Sequence, residues 1–204
     1  VLQLSVDGIE ADDVIAYVCY HKQYKGTQKI IVSSDKDFFQ LCDDETIVYR
    51  PIQNEIVTKG VLTTKYGIHP NNFALARAIV GDKSDNLPGI KGVGLKTVAK
   101  NFQFLCEDRQ YDLDELIDVC RDQKKPKVSH TNIMAGREII ADNYDMMQLY
   151  SPDISYINKK SIDYNIENFE PDFNKLNVTK MLFKDGQGSL KFDELYNAFK
   201  NLRS

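Results

Sequence analysis

The sequence predicts an α/β fold in which a partly parallel central sheet with flanking helices is followed by a helical region. Strand-like and helix-like stretches alternate as far as Gly60, and this order is typical of a sheet with parallel strands. From Lys59 onward, apolar residues recur at helical spacing. We therefore expect residues 1–60 to form the C-terminal part of an α/β domain and residues 61–204 to form a helical region.

The elements of the α/β part follow from short periodic runs. The apolar residues after Glu10 share one helical face, acids occupy the first turn, where the helix dipole favours negative charge, and Gly26 ends the run. Apolar and β-branched runs mark the strands. In chain order the sequence predicts a strand at Val1–Leu4, a helix from Glu10 to about Lys25, a strand at Gln28–Ser34, a short helix at Asp35–Leu41, and strands at Thr46–Arg50 and Glu55–Thr58.

The second region is predicted to be mostly helical. Pro70 suits a first helical turn, whereas Pro152 marks a break, and the stretch from Ser151 to Asp172 has strand-like or irregular patterning. The predicted helices are Gly60–Tyr66, Pro70–Val80, Leu95–Phe102, Leu113–Arg121, His130–Leu149 and Leu190–Leu202.

Composition bounds the class of protein without identifying it. The 204 residues are 42% hydrophobic, and no run approaches the ~20 apolar residues that cross a bilayer. Four scattered cysteines favour reduced, mostly buried thiols and a cytoplasmic protein. Taken alone, the net charge of -4 argues against a nucleic-acid binder. Between Lys83 and Lys100, however, there are four lysines and one acid, so the overall charge argues neither for nor against nucleic-acid binding. Because the chain opens on Val1, we expect a fragment, a processed product or one half of a split protein.

Seven carboxylates in three short groups are the most informative feature, and no matching bases accompany them. Two unit charges ~4 Å apart repel by about 4 kcal/mol at an effective dielectric of 20. If the groups converge in space, a cation must therefore lie between them. Such groups beside a loop suited to phosphate suggest divalent metals acting on nucleic acid. The candidate catalytic and metal-binding residues are Glu10, Asp12 and Asp13, then Asp35 and Asp37, then Asp82 and Asp85.

Each of the first two groups has a simpler interpretation. Acids after Glu10 suit the dipole at a helix start, and Asp35 and Asp37 could cap the next helix. Position strengthens the functional interpretation, because Asp35 and Asp37 follow a predicted strand, at the edge where open α/β sheets bind ligands. Glu10 opens a helix that is expected to follow another strand, so it would reach the same edge.

The third group runs into a glycine-rich turn, Gly81–Thr97. Glycines permit positive φ and close approach of backbone to a ligand, and the start of the next helix can bind an anion. The turn is not a Walker A loop, because it lacks the GxxxxGK[ST] spacing. A glycine-rich turn without function would not need two aspartates before it and two lysines after it. The candidate DNA-binding residues are Gly89, Lys91, Gly92, Gly94, Lys96, Thr97 and Lys100.

These motifs, in this order, resemble the flap endonuclease / 5′–3′ exonuclease family, whose nuclease domain is PIN-like. The resemblance rests on Glu10-Ala11-Asp12-Asp13, on Ser34-Asp35-x-Asp37, and on a helix–three-turn–helix motif at about 73–102. The segment Asn143–Leu149 and the helical tail resemble the phage and bacterial branch, including the phage ribonuclease H type.

The resemblance implies a structure-specific enzyme that cuts DNA or RNA–DNA near a 5′ end or a single-strand/duplex junction. Glu10, Asp12 and Asp13 would hold one Mg²⁺ and the other four acids would bracket a second, with Mn²⁺ able to substitute. It also implies K⁺ near Gly89–Gly94 and phosphate contacts that position the duplex without reading bases.

The chain departs from that family in lacking the upstream metal-binding aspartates, the basic group that contacts the scissile phosphate, and the helical arch. We therefore expect this chain alone to be a weak or inactive nuclease that needs an N-terminal partner segment. A non-catalytic duplex DNA-binding module is the alternative, while the glycine-rich turn and its lysines disfavour a metal phosphatase.

Overall fold

The computed structural model describes residues 2–170 and 174–201. These form two compact units, one comprising residues 5–159 and the other residues 2–4 with 160–170 and 174–201. Residue 60, where the sequence places a domain boundary, lies inside the larger unit. The parts of the predictions that fall on Val1, Asp172 and Leu202 lie outside the described residues.

The described residues contain a three-stranded sheet with the order β1-β2-β3. Strand β1 (Lys29–Val32) runs parallel to β2 (Thr46–Arg50), and β2 runs antiparallel to β3 (Glu55–Val57). The prediction of a partly parallel sheet is therefore confirmed. The strand predicted at the start of the chain is wrong for residues 2–4, because no described strand pairs with them and strand geometry requires a hydrogen-bonded neighbour.

The first helix, α1 (Ala11–Cys19), is shorter than predicted. The chain turns at Tyr20, and a 3₁₀ turn at Lys22–Tyr24 follows, its start capped by the His21 side chain, which accepts from the Gln23 N–H at 3.3 Å. The short helix predicted after β1 is present as a 3₁₀ helix, Asp37–Leu41.

The core of the larger unit lies under one face of the sheet. Phe39, from the 3₁₀ helix, packs against Phe73 with ring centroids 5.3 Å apart, and both are fully buried. The inward side chains of β1 and β2 join this core, whereas Ile30 and Val32 are 56% and 65% exposed. Sheets with parallel strands are usually covered on both faces. One face of this sheet is thus open and apolar.

The helical part of the larger unit follows the predicted order. It begins with a short helix, α2 (Lys59–Val61), that continues as a π-helical turn (Leu62–Tyr66). A 3₁₀ turn (Pro70–Asn72) then leads into α3 (Phe73–Val80). One prediction is wrong: His130–Leu149 is not one helix but two, divided at Gly136, where an added Cβ would lie 2.2 Å from Ile90 Cδ1. The helix bounds are α2 Lys59–Val61, α3 Phe73–Val80, α4 Leu95–Asn101, α5 Leu113–Arg121, α6 Val128–Ala135 and α7 Arg137–Met147.

The last helices differ most from expectation. Tyr156–Glu167 forms α8, so the strand-like or irregular interpretation of this stretch is wrong, and Ile162 and Ile166 are its buried side chains. Lys175–Lys184 forms α9, which the sequence did not predict. The predicted final helix is present as α10 (Phe192–Asn201). Within the described ranges, no helix combines the length and apolarity that crossing a bilayer requires.

The glycine-rich turn between α3 and α4 is folded back on the end of α3. The backbones of Asp82 and Leu87 bond each other at 3.0 and 2.7 Å, and Ile90 N–H donates to the Ile79 carbonyl at 2.8 Å. The buried Asn143 amide on α7 donates to two carbonyls, those of Ala78 on α3 and Pro88 in the turn, both at 2.9 Å. The Asn143 side chain therefore fixes the turn against α3, the helix that precedes it.

Gly89 is a position in this turn that has no room for a side chain. An added Cβ would lie 1.7 Å from the Val80 carbonyl oxygen. We expect Gly89→Ala to lower the free energy of unfolding by about 1–3 kcal/mol, the usual cost of forcing extra atoms into a packed site, as measured by urea denaturation. Gly94→Ala is the matched control from the same turn, since its Cβ would meet nothing within 4 Å. Equal stability of the two variants would contradict the close approach of Gly89 to the Val80 carbonyl.

Candidate functional site

The three acidic groups lie at the ends of three elements of the larger unit. Glu10 is the N-cap of α1 without a side-chain capping bond, and Asp12 and Asp13 lie in its first turn. Asp35 follows β1, and its carboxylate accepts the Asp37 N–H at 2.9 Å at the start of the 3₁₀ helix. Asp82 follows Gly81, which ends α3 with a φ of 73°.

The first and second groups lie within electrostatic range of each other. The pKa of Asp12 is raised to about 6, first by burial and then by the negative charges of Asp35, Asp37, Glu10 and Asp13. The pKa of Asp13 is also raised, by burial and then by Glu10 and Asp153. Carboxylates separated by more than twenty residues of sequence thus act on one another, which is the behaviour of like charges brought to one place.

A base that the sequence interpretation missed joins the second and third groups. Arg77 on α3 is 7% exposed, and its Nε donates to Asp37 Oδ1 at 2.9 Å. Its Nη2 donates to Asp82 Oδ2. The expectation of acids without matching bases is therefore wrong. The available signal was a single charged residue within the apolar helix Phe73–Val80, five residues before Asp82.

The two acids that bond Arg77 have pKa values shifted in opposite directions. Burial raises the pKa of Asp37 despite the adjacent guanidinium, and the charges of Asp35 and Asp82 act in the same direction. The pKa of Asp82 is lowered to about 2, first by the Ser84 hydroxyl and then by Arg77. Ser84 also donates its backbone N–H to Asp82 Oδ1 at 2.7 Å. Both oxygens of Asp82 are consequently engaged.

The chemistry of these donors suits a hard divalent cation, because Mg²⁺ prefers carboxylate oxygens and water. Their arrangement does not yet coordinate one: among residues 2–170 and 174–201, no three His, Cys, Asp or Glu side chains are grouped so that they could hold a metal ion. Asp85 is exposed, three residues beyond Asp82. The carboxylate oxygens are ligands of the type that this ion prefers. Its binding would require their side chains to rearrange.

The candidate nucleic-acid residues lie along the turn and the start of α4. Lys91, Lys96 and Lys100 are exposed, and Gly94 is the N-cap of α4. The Asn132 amide on α6 donates to the Lys91 carbonyl at 3.0 Å, which ties the turn to a second helix. The turn and α4 thus present three cationic side chains to solvent.

Comparison with known proteins adds independent findings. Residues 1–67 match the family model of the 5′–3′ exonuclease N-terminal, resolvase-like domain. The chain is 46% identical over 94 residues to a 5′–3′ exonuclease of Buchnera aphidicola subsp. Schizaphis graminum, covering 46% of this chain and 33% of the relative. It is 31% identical over 150 residues to a thermostable DNA polymerase I of Thermus thermophilus, covering 74% of this chain and 17% of the relative.

The fold has a solved counterpart. A bacteriophage T5 flap endonuclease, in a pseudo-enzyme-product complex with DNA and metal ions, superposes with a TM-score of 0.65 at 18% identity, covering 81% of this chain and 62% of the other. At that identity the likeness establishes the fold alone. The match to the Buchnera exonuclease spans one third of that relative's length.

The raised pKa of Asp12 can be tested through the pH dependence of stability. A carboxyl whose folded-state pKa is raised from 3.8 to about 6 destabilises the folded chain as pH rises through this window. Without divalent metal, we expect Asp12→Asn to raise the free energy of unfolding at about pH 7 by about 1–3 kcal/mol, and to have no such effect below about pH 4. Urea denaturation at both pH values measures this. Asp142→Asn, which replaces an exposed aspartate on α7, is the control, and a pH-independent effect of Asp12→Asn would contradict the raised pKa.

Proposed function

Because the chain is related to the flap endonuclease / 5′–3′ exonuclease family, as its motifs predict, we propose that it is part of a structure-specific, divalent-metal-dependent 5′ nuclease. The enzyme hydrolyses phosphodiesters of DNA or RNA–DNA in replication or repair, and it is cytoplasmic. The observation that carries the proposal is the effect of Asp35 and Asp37 on Asp12, which links the first two acidic motifs in space. A non-catalytic protein has no evident use for this repulsion.

In the proposed centre, Mg²⁺ is the natural cofactor and Mn²⁺ can replace it. Glu10, Asp12 and Asp13 hold one ion, while Asp35, Asp37, Asp82 and Asp85 bracket the second. Bound ions of this kind polarise the phosphate and lower the pKa of bound water. The chain itself supplies the negative charge that attracts the ions and fixes the acids on α1, after β1 and after α3.

The turn between α3 and α4 is proposed to bind the duplex backbone as a helix–three-turn–helix motif. Lys91, Lys96 and Lys100 are exposed, and lysines near phosphates release counter-ions on binding. Gly89, Gly92, Gly94 and Thr97 would let the backbone approach the phosphates, with K⁺ bound near Gly89–Gly94. That the phage T5 structure contains DNA and metal ions supports this assignment.

The proposed enzyme includes an N-terminal nuclease segment, either in the same polypeptide or as a separate chain. Its expected position is the open face of the sheet, where Ile30, Val32 and Ile56 are more than half exposed. Covering an aliphatic side chain contributes about 1.5–3 kcal/mol, so such a segment would stabilise the sheet. We propose that this segment completes the active enzyme.

The second candidate function is a duplex DNA-binding module without catalysis. The ion pairs of Arg77 favour it, because they already neutralise part of the acidic centre. Such a module would bind duplex DNA equally well with Asp12→Asn and would gain nothing from divalent metal. The metal titration below therefore separates the two functions.

Metal binding should raise the melting temperature, because a ligand that binds only the folded state stabilises it. At a Mn²⁺ concentration about a hundred times its Kd, we expect the wild type to gain about 5–10 °C. The double variant Asp35→Asn/Asp37→Asn should lose most of this gain, whereas the control Asp142→Asn/Asp145→Asn, with two exposed aspartates on α7, should keep it. Flat responses from both wild type and control would argue strongly against the nuclease.

DNA binding should depend on the lysines of α4. We expect Lys96→Ala and Lys100→Ala each to weaken duplex binding uniformly across sequences and to reduce the slope of log K against log salt by about 1. Fluorescence anisotropy with a labelled duplex over a range of salt concentrations measures both effects. Lys25→Ala, an exposed lysine after α1, is the control. Unchanged slopes in both α4 variants would exclude this helix from the interface.

A further inference from the structure

Arg77 occupies the two carboxylates that the proposed function assigns to a metal ion. Its side chain is 9% exposed, and those of Asp37 and Asp82 are 14% and 20% exposed. One nitrogen of the guanidinium, Nε, bonds Asp37 at 2.9 Å, and another, Nη2, bonds Asp82. The planar group therefore spans an acid at the start of the 3₁₀ helix and one just after the end of α3.

Arginine and a divalent ion have conflicting requirements at this position. The guanidinium stays charged at every relevant pH, and a buried charge without a partner is strongly destabilising. When no ion is bound, Arg77 therefore needs both carboxylates. An ion at Asp37 and Asp82 would use the same oxygen lone pairs and place a second cation beside the first, at low effective dielectric. In the present arrangement, the carboxylates of Asp37 and Asp82 cannot bond Arg77 and coordinate a metal ion at the same time.

We propose that Arg77 is an internal counter-cation that holds Asp37 and Asp82 until a divalent ion displaces it, and so lowers the metal affinity of this half of the site. The inference rests on the proposed function for the class of ion, and assigns a positioning role to a residue that the motifs do not contain. In this state Asp82 is fully engaged, with Ser84 on one oxygen and Arg77 on the other.

A purely structural ion pair is the competing explanation, and Arg50 provides the matched control. Arg50 is also buried and bonds Glu55 at 3.0 Å, with its side chain 10% exposed. It belongs to β2 and pairs with Glu55, which is not one of the seven candidate acids, although its Nη2 also donates to the Ser34 carbonyl, next to Asp35, at 3.4 Å. Replacing either arginine removes a buried ion pair, but only Arg77→Met removes a cation from the candidate metal centre.

Calorimetric titration with Mn²⁺ tests the proposal. We expect Arg77→Met to bind Mn²⁺ about tenfold more tightly than the wild type, because removing a neighbouring positive charge favours the ion, while Arg50→Met binds with wild-type affinity. Affinity of Arg77→Met equal to or below that of the wild type would overturn the proposal. If the wild type binds and Arg77→Met is unchanged, only this inference fails; if wild type and Arg77→Met both fail to bind, the metal site of the proposed nuclease fails with it.

A second measurement on the wild type does not depend on how well the variants fold. The Nε–Hε resonance of Arg77, assigned by its loss in Arg77→Lys, reports its bond to Asp37. We expect Mg²⁺ to shift or broaden this resonance and to leave the Arg50 resonance in place. An unmoved Arg77 resonance at a Mg²⁺ concentration that shifts the backbone amides of Asp35 and Asp37 would also overturn the proposal.

Discussion

Repulsion among carboxylates is the constraint on which the site in this protein depends. Burial, and after it the charges of acids from the start of α1 and the end of β1, raise the pKa of Asp12 to about 6. The core makes this crowding tolerable, since Phe39, two residues beyond Asp37, packs on Phe73, four residues before Arg77. One aromatic contact therefore fixes the two elements whose charged residues meet in the Arg77–Asp37 ion pair. The free energy of packing supports an arrangement that electrostatics alone would open.

The turn after α3 connects this site to the candidate DNA surface. Asn143 reaches from α7 to carbonyls on α3 and in the turn, so the position of Asp82 depends on a helix more than fifty residues away. Asn132 on α6 holds the other side of the same turn. Because the Asn143 amide is buried and bonded to backbone carbonyls, replacing it with an apolar side chain of similar size would leave polar groups unpaired. The acid and the exposed lysines are thus held by one rigid connection.

Much of the fold could be predicted from local patterns, and the failures have specific causes. Strand β2 alternates buried and partly exposed residues along its length, so its bounds match the prediction. Helix α8 was missed because its apolar residues are sparse and Ile162 and Ile166 alone are buried. At Gly136, where the predicted helix divides, an added Cβ would lie 2.2 Å from Ile90 Cδ1, and a contact with a residue so distant in sequence has no local signal. Arg77 was missed because one of its two partners, Asp37, lies forty residues away, so the lone charge within an apolar helix did not reveal which acids it would bond.

The two halves of the candidate site consequently differ in charge compensation. Asp12 and its neighbours repel one another, and the pKa of Asp12 rises because neighbouring carboxylates, in addition to burial, oppose its ionisation. Asp82 has the opposite behaviour, with a pKa lowered to about 2 by Ser84 and Arg77. In the proposed metal centre, an ion arriving at the first half would relieve repulsion, whereas an ion arriving at the second would first have to compete with a guanidinium. We therefore expect unequal occupancy, with the α1 side of the site attracting a cation more strongly than the side held by Arg77.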